Sequence, residues 1–338
     1  MENKRVLITG ASGFIGGFLV REALYRGYDV WAATRPGSSR VHLYDKRIHF
    51  IYLHYEDKDA LTKQLIEVAS STGAWHYVIH NAGITKALHK ADFYKVNVQN
   101  TSVLLEALEA ANCRPEKFLL MSSLSSYGPI NERSLKPLRT DDQQKPDSEY
   151  GKSKLQAERI VKEQSYFPFI ILCPTGVYGP GDKDYLMEIK SIRLGIDMKA
   201  GMKPQHITFI YVKDLVLATF LALEKPSALN TTCFMADGDV YTDREFADIV
   251  KNLLGKRFVL NMRLPLWLCF TACFCSEWIG KILKKTMTLN TDKFKILRQR
   301  NWICETEQTN KELAFTPQYN LKKGLEETIR YCKKQGIL

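Results

Sequence analysis

The segment that most restricts what this chain can fold into is Gly10-Ala-Ser-Gly13-Phe-Ile-Gly16, three glycines directly behind the run Arg5-Val-Leu-Ile-Thr9. That run reads as a short strand buried on both faces. Phe18, Leu19, Ala23 and Leu24 then follow at helical spacing, Gly27 ends the helix, and Tyr28-Asp-Val-Trp-Ala-Ala33 reads as a second strand. In a strand–turn–helix–strand unit of this kind, Gly10 permits the tight turn. Gly13 lets the backbone approach a pyrophosphate, and Gly16 lets the helix pack closely on the strand. The free N–H groups and the dipole at the helix N-terminus then hold the phosphate charge. A glycine triplet alone would suit any flexible turn, but with both flanks legible it marks a dinucleotide site.

The end of the second strand bears on which dinucleotide is bound. An acidic residue there would accept hydrogen bonds from the adenosine ribose, whereas a base accommodates a 2′-phosphate. The chain offers Thr34 and Arg35, with Ser38, Ser39 and Arg40 close behind. Arg35, a planar fork of donors, favours NADP; NAD stays open as the alternative.

Lys117-Phe-Leu-Leu-Met-Ser-Ser123 reads as another parallel strand with hydroxyls at its C-terminal end, where open α/β sheets bind ligands. Farther on, Ser148-Glu-Tyr-Gly-Lys-Ser-Lys-Leu-Gln-Ala-Glu-Arg159 reads as a helix capped at Asp147 or Ser148. Tyr150 and Lys154 are four residues apart and share one face of it. A tyrosine titrates near pH 10 in isolation, too high for efficient proton transfer at neutral pH. A neighbouring lysine is expected to favour the phenolate, which is the tuning that general acid–base work requires. Ser122, Ser123, Ser125 and Ser126 compete for the role of orienting hydroxyl.

These motifs together resemble the extended short-chain dehydrogenase/reductases, the NAD-dependent epimerase/dehydratase superfamily. The resemblance rests on Thr9-Gly-Ala-Ser-Gly-Phe-Ile-Gly16, His80-Asn-Ala-Gly83, Ser122-Ser123 with Tyr127-Gly128, and Tyr150-Gly-Lys-Ser-Lys154. It continues through Pro174-Thr-Gly-Val-Tyr-Gly-Pro-Gly181 and Phe209-Ile-Tyr-Val-Lys-Asp214. It implies an α/β fold: a Rossmann doubly wound parallel sheet from 1–177 plus about 206–229, and a smaller, mostly helical C-terminal substrate lobe from about 178–205 and 230–338. It further implies a catalytic triad of Ser123, Tyr150 and Lys154, with Ser123 singled out by its place before Tyr127-Gly128. Cofactor contacts are implied for Gly10, Ser12, Gly13, Phe14, Ile15, Gly16, Arg35, Ser122, Tyr150 and Lys154. Asn81, Ala82 and Gly83 would lie near adenine and ribose, Asn97 would support the cofactor-side helices, and Pro174, Thr175, Gly176 and Val177 would approach the nicotinamide. Two positions depart from the family pattern: His54 falls where an Asp beside the adenine is usual, and Cys173 where many relatives carry Arg.

Composition narrows the remaining choices. The 338 residues, 45% hydrophobic and 25% charged, are ordinary for a globular protein. Eight cysteines without CxxC spacing point to reduced thiols and no metal site. The N-terminus leaves no room for the apolar core of a signal peptide, so a cytoplasmic protein is expected. The formal charge of +11 is uneven, with ten Lys or Arg against only Glu277 and Asp292 in 256–300. No nucleic-acid motif accompanies that charge, so no nucleic-acid partner is expected.

Leu264 to Ser276, thirteen residues with Trp267 among them and Trp278 just beyond, carry no charge. That is short of the ~20 apolar residues of a membrane span. The stretch reads as a core helix of the lobe, as the wall of a greasy pocket, or, with 264–300 as a whole, as a peripheral membrane contact. Its likeness to the branch of 3β-hydroxysteroid dehydrogenases and lipid-ketone reductases is looser than that of the triad motifs. The expectation is therefore an NADP(H)-linked interconversion of ketone and secondary alcohol on a hydrophobic small molecule. A nucleotide-sugar epimerase or dehydratase with tightly held NAD is the alternative, a non-catalytic scaffold is the remote one, and a homodimer is left open.

Overall fold

Seven parallel strands form the central sheet, and their order sets the glycine-rich turn at its middle. The computed structural model describes residues 4–338. The strands are β1 (Arg5–Thr9), β2 (Asp29–Ala33), β3 (Ile48–Ile51), β4 (Tyr77–His80), β5 (Lys117–Met121), β6 (Phe169–Pro174) and β7 (Thr231–Met235). They lie side by side in the order β7-β6-β5-β4-β1-β2-β3, with Val6 opposite Val30 on one side and Tyr77 on the other. The chain reverses direction across the sheet between β1 and β4, and a ligand crevice opens beyond the strand ends at such a switch point.

Strands buried on both faces need continuous apolar runs, and β4 and β5 are buried at every residue. In β1 the alternation divides the core in two. Val6 and Ile8 pack under α1 (Phe14–Tyr25) with Leu19, Val20 and Ala23. Leu7 points the other way, to Leu61 and Leu65 of α2 (Lys58–Thr72) and Leu104 and Leu108 of α3 (Asn100–Ala110). On that same face lies α4 (Glu149–Gln164), capped by the Ser148 hydroxyl on the Gly151 N–H at 3.0 Å.

The lobe is built from α5 (Asp184–Arg193), a parallel ribbon of Ile196–Ala200 with Leu260–Leu264, then α7 (Asp243–Leu253), α8 (Leu266–Ile282) and α9 (Thr291–Leu297). Between its two portions α6 (Val212–Glu224) returns to the sheet. The buried Asp214 carboxylate on α6 accepts the Gln318 and Tyr319 N–H groups at 3.1 and 2.9 Å, which ties down the segment leading to α10 (Leu321–Lys334). One boundary differs from the sequence reading. Residues 231–235, assigned there to the lobe, are the edge strand β7, paired with β6 from Thr231 to Met235. An edge strand has one neighbour only, and its five residues begin with two threonines, so its apolar signal is weak.

Candidate active site

A single cleft of about 1820 Å³ runs from the glycine turn, across the ends of β4 and β5, into the lobe. At its inner end the backbone itself forms the wall. Gly10 adopts φ +65°, and a Cβ there would lie 2.8 Å from Ala82 Cα. At Gly16 a Cβ would meet the Gly10 carbonyl oxygen at 2.1 Å, so any side chain would push α1 off the strand. Helix α1 starts at Gly13 without a side-chain cap and without an acid in its first turn. Its first N–H groups are therefore free to receive an anion. Ser12, Gly13, Phe14, Ile15, Asn81, Ala82, Gly83 and Arg35 line this end, and the donor set fits a dinucleotide.

Gly16, read as a cofactor contact, and Asn97, read as a support for the cofactor-side helices, do not line the cleft. The missing Cβ of Gly16 serves the helix–strand approach. Asn97 is buried; its side chain accepts the Ile84 N–H at 2.8 Å and donates to Ser153 Oγ at 2.9 Å, joining the loop after β4 to α4. His54 is turned toward Glu56 at 3.5 Å, and Leu53 and Tyr55 form the wall beside it.

Ser122 and Ser123 extend from β5, Tyr150 and Lys154 from α4, and Pro174 to Val177 from β6, and all of them line the middle of the cleft. Gly151 brings the catalytic helix close: a Cβ there would lie 2.3 Å from the Ser125 carbonyl oxygen. The start of α4 is held from the lobe, where Asp292 accepts the Glu149 and Tyr150 N–H groups at 2.6 and 3.1 Å. That clamp had no signal in the sequence beyond an isolated acid in a basic stretch.

The electrostatics differ from the expectation that Lys154 would favour the phenolate. Burial pushes the Tyr150 phenol up to about 12, with Ser123 acting in the opposite direction. Lys154 is buried and is lowered to about 8 by desolvation, while Glu158 pulls it up. Its Nζ donates to the Met121 carbonyl at 2.8 Å. Desolvation thus dominates both groups, and both phenol and ammonium carry their protons at neutral pH.

Glu158, fully buried one turn beyond Lys154, was not singled out in the sequence. It accepts hydrogen bonds from Ser122, from Gln144 at 2.8 Å and from the Cys173 thiol at 3.5 Å. Below the cleft His80 bridges Thr9 at 2.9 Å and Thr101 at 3.1 Å. Its burial lowers it to about 3, so it is neutral.

The model of the NAD dependent epimerase/dehydratase family matches residues 6–234, and the chain belongs to that family. It is an NAD(P)-dependent enzyme of the extended short-chain dehydrogenase/reductase type. The chain is 26% identical to a UDP-glucose 4-epimerase of Vibrio cholerae, over 97% of this chain and 95% of that one. It is 24% identical to a decarboxylating sterol-4-alpha-carboxylate 3-dehydrogenase of Dictyostelium discoideum, over 96% and 99%. In fold it resembles the Bordetella bronchiseptica enzyme WbmG in complex with NAD and UDP, with a TM-score of 0.77 at 17% identity, covering 99% of this chain and 97% of that one. Sugar-nucleotide and sterol enzymes therefore stand at similar distances from it.

Proposed function

We propose that the protein is an NADP(H)-dependent oxidoreductase that interconverts a ketone and a secondary alcohol on an apolar, lipid-like substrate. The observation that carries this reading is the wall at the lobe end of the cleft. Leu264, Cys269, Ala272, Cys273, Ile296 and Leu297 form it. Most of the cations nearby are already paired, Lys183 being the exception among the described residues. Lys86 and Lys293 hold Asp184 at 2.7 and 3.1 Å, Lys199 holds Glu188 and Asp197, and Arg263 holds Asp243 at 2.8 Å. A diphosphate would draw on these paired cations at the cost of their present partners, whereas an apolar ketone leaves them intact.

In this reading the neutral Tyr150 phenol donates its proton to the carbonyl oxygen during reduction, and Ser123 orients that oxygen. Lys154, one turn along the same helix face, would hold the ribose hydroxyls of the dinucleotide. The bound nicotinamide supplies or accepts the hydride. NADP is favoured by Arg35, which lines the cleft just past β2 with Ser38 and Ser39. Glu56 also lines that end but faces His54 at 3.5 Å.

The test is to offer the purified protein NADPH or NADH with keto-steroids and long-chain ketones, and separately UDP-sugars. NADPH oxidation with the ketones is expected; turnover of UDP-sugars alone would refute the reading. An Arg35→Asp variant should move preference toward NADH, and an unchanged preference would remove the cofactor assignment. One observation favours a nucleotide-sugar epimerase or dehydratase: two lysines share the single Asp184, a locally positive spot on the cleft wall. Tightly co-purifying NAD would support it.

A further inference from the structure

Helix α8 shows the reverse of what a lobe helix should show. Of its 17 residues only Cys273 and Gly280 are buried. Trp267, Phe274, Trp278 and Ile282 recur at helical spacing along one outward line, with Trp267 69% and Trp278 62% exposed. The ribbon that leads into the helix continues the same character. Its register sets Ile196 beside Leu260 and Met198 beside Met262, and all four are exposed. Phe258 and Met202 at its ends are 74% and 67% exposed. Globular monomers scatter such residues singly over their surfaces; here they are contiguous along one helix and one ribbon.

Charge states what covers this face. Lys256, Arg257, Lys281, Lys284 and Lys285 are exposed along its edges. Of the two acids of the region, Glu277 pairs with Lys281 and Thr291 and Asp292 sits on the start of α4, which leaves Lys256, Arg257, Lys284 and Lys285 uncompensated by either. A second copy of the chain brought against this face by a two-fold axis would set lysines against lysines. No helix among the described residues is long and apolar enough to cross a bilayer. A short apolar helix with exposed tryptophans and a basic flank instead lies in the headgroup plane.

We propose that α8, the Ile196–Ala200/Leu260–Leu264 ribbon and the lysines beside them form a monotopic docking surface for an anionic lipid bilayer. The opposite side of α8 contributes Cys269, Ala272 and Cys273 to the cleft. Docking therefore sets the apolar end of the cleft against the membrane, where a lipid substrate is dissolved. That consequence rests on the apolar-substrate reading; the docking itself does not.

Co-sedimentation of the whole protein with phosphatidylcholine vesicles, with and without phosphatidylserine, tests it. Binding to the phosphatidylserine vesicles is expected, weakening as salt is raised. Lys284→Ala with Lys285→Ala should lower the partition coefficient roughly 30-fold, and Trp267→Glu with Trp278→Glu should lower it at least as much. None of these four lines the cleft, so turnover of a water-soluble short-chain ketone, or the circular dichroism spectrum if no ketone turns over, should match the parent protein. Absent vesicle binding, or binding indifferent to the tryptophan pair, overturns the proposal. A dimer seen by light scattering that the tryptophan pair dissociates, without vesicle binding, assigns the face to a second copy. Vesicle binding without any ketone turnover leaves the docking standing and refutes the function reading instead.

Discussion

Replacing Lys154 with methionine should make the protein more stable and inactive in one step. The residue is 6% exposed, and its ammonium has the Met121 carbonyl as its hydrogen-bond acceptor at 2.8 Å. Burial sets its pKa at about 8 against the ordinary 10.5, even with Glu158 pulling upward. A difference of this size means that the charged form costs about 3 kcal/mol on folding at pH 7. Methionine fills a similar length without the charge but leaves the Met121 carbonyl unpaired, which returns about 1 kcal/mol. The net gain is about 2 kcal/mol. Its sign depends on pH. Between about 8 and 10.5 the unfolded chain binds a proton at Lys154 that the folded chain does not. Stability of the parent protein therefore rises across that window, and the advantage of the variant disappears by its upper end. Urea unfolding of the cofactor-free parent and Lys154→Met proteins at pH 7 and pH 10 measures both effects. A variant less stable at pH 7, or the same pH dependence in both proteins, would refute the claim that burial penalises this charge.

Tyr150→Phe should lower kcat roughly 10²- to 10⁴-fold while leaving dinucleotide affinity, read by tryptophan fluorescence, near the parent value; a loss of less than about tenfold would mean that another group moves the proton. His80, held near 3 by burial, is neutral when folded, so the unfolded chain gains a proton there first as pH falls below 6.5. Stability supplied by this site is full above 6.5 and is lost toward 3 at up to about 1.4 kcal/mol per pH unit, and His80→Gln should flatten that acid limb in urea titrations. Glu158→Gln removes the charge that raises both Lys154 and Tyr150, so the alkaline limb of the reductive pH–rate profile should move to lower pH. An alkaline limb that stays in place would show that Glu158 is only a packing residue.

The parts of the site that could be read in the sequence are those whose physics is local. Gly10, Gly13 and Gly16 act through backbone conformation and close approach, and their spacing carries that information whatever surrounds them. Tyr150 and Lys154 share a helical face by spacing alone. What was not legible depends on distant segments coming together. Glu158 stands in the same helical string, but a glutamate at such a position ordinarily faces water, and only the packing of β5, β6 and Gln144 around it shows otherwise. Asp292 reaches Tyr150 across 142 residues of chain. The direction of the Tyr150 shift is illegible for the same reason: the spacing puts a lysine on the same helix face, but burial, opposed by Ser123, is what sets the phenol.

Cys173 links these points. The resemblance to the extended short-chain dehydrogenase/reductases sets an arginine at this position, and a guanidinium grown from it would meet Glu158, whose Oε1 lies 3.5 Å from the Cys173 sulfur. It would cancel much of that charge. The thiol does not, because burial and Glu158 together push it well above its ordinary range and keep it neutral. The influence of Glu158 then falls on Lys154 and Tyr150, raising both. On the lysine this opposes desolvation and preserves the ammonium; on the tyrosine it adds to desolvation and preserves the phenol. Both effects hold the site in its protonated state, from which a carbonyl oxygen can be given a proton. With cysteine at 173 the charge of Glu158 thus stays available to the two titratable members of the triad and keeps both protonated.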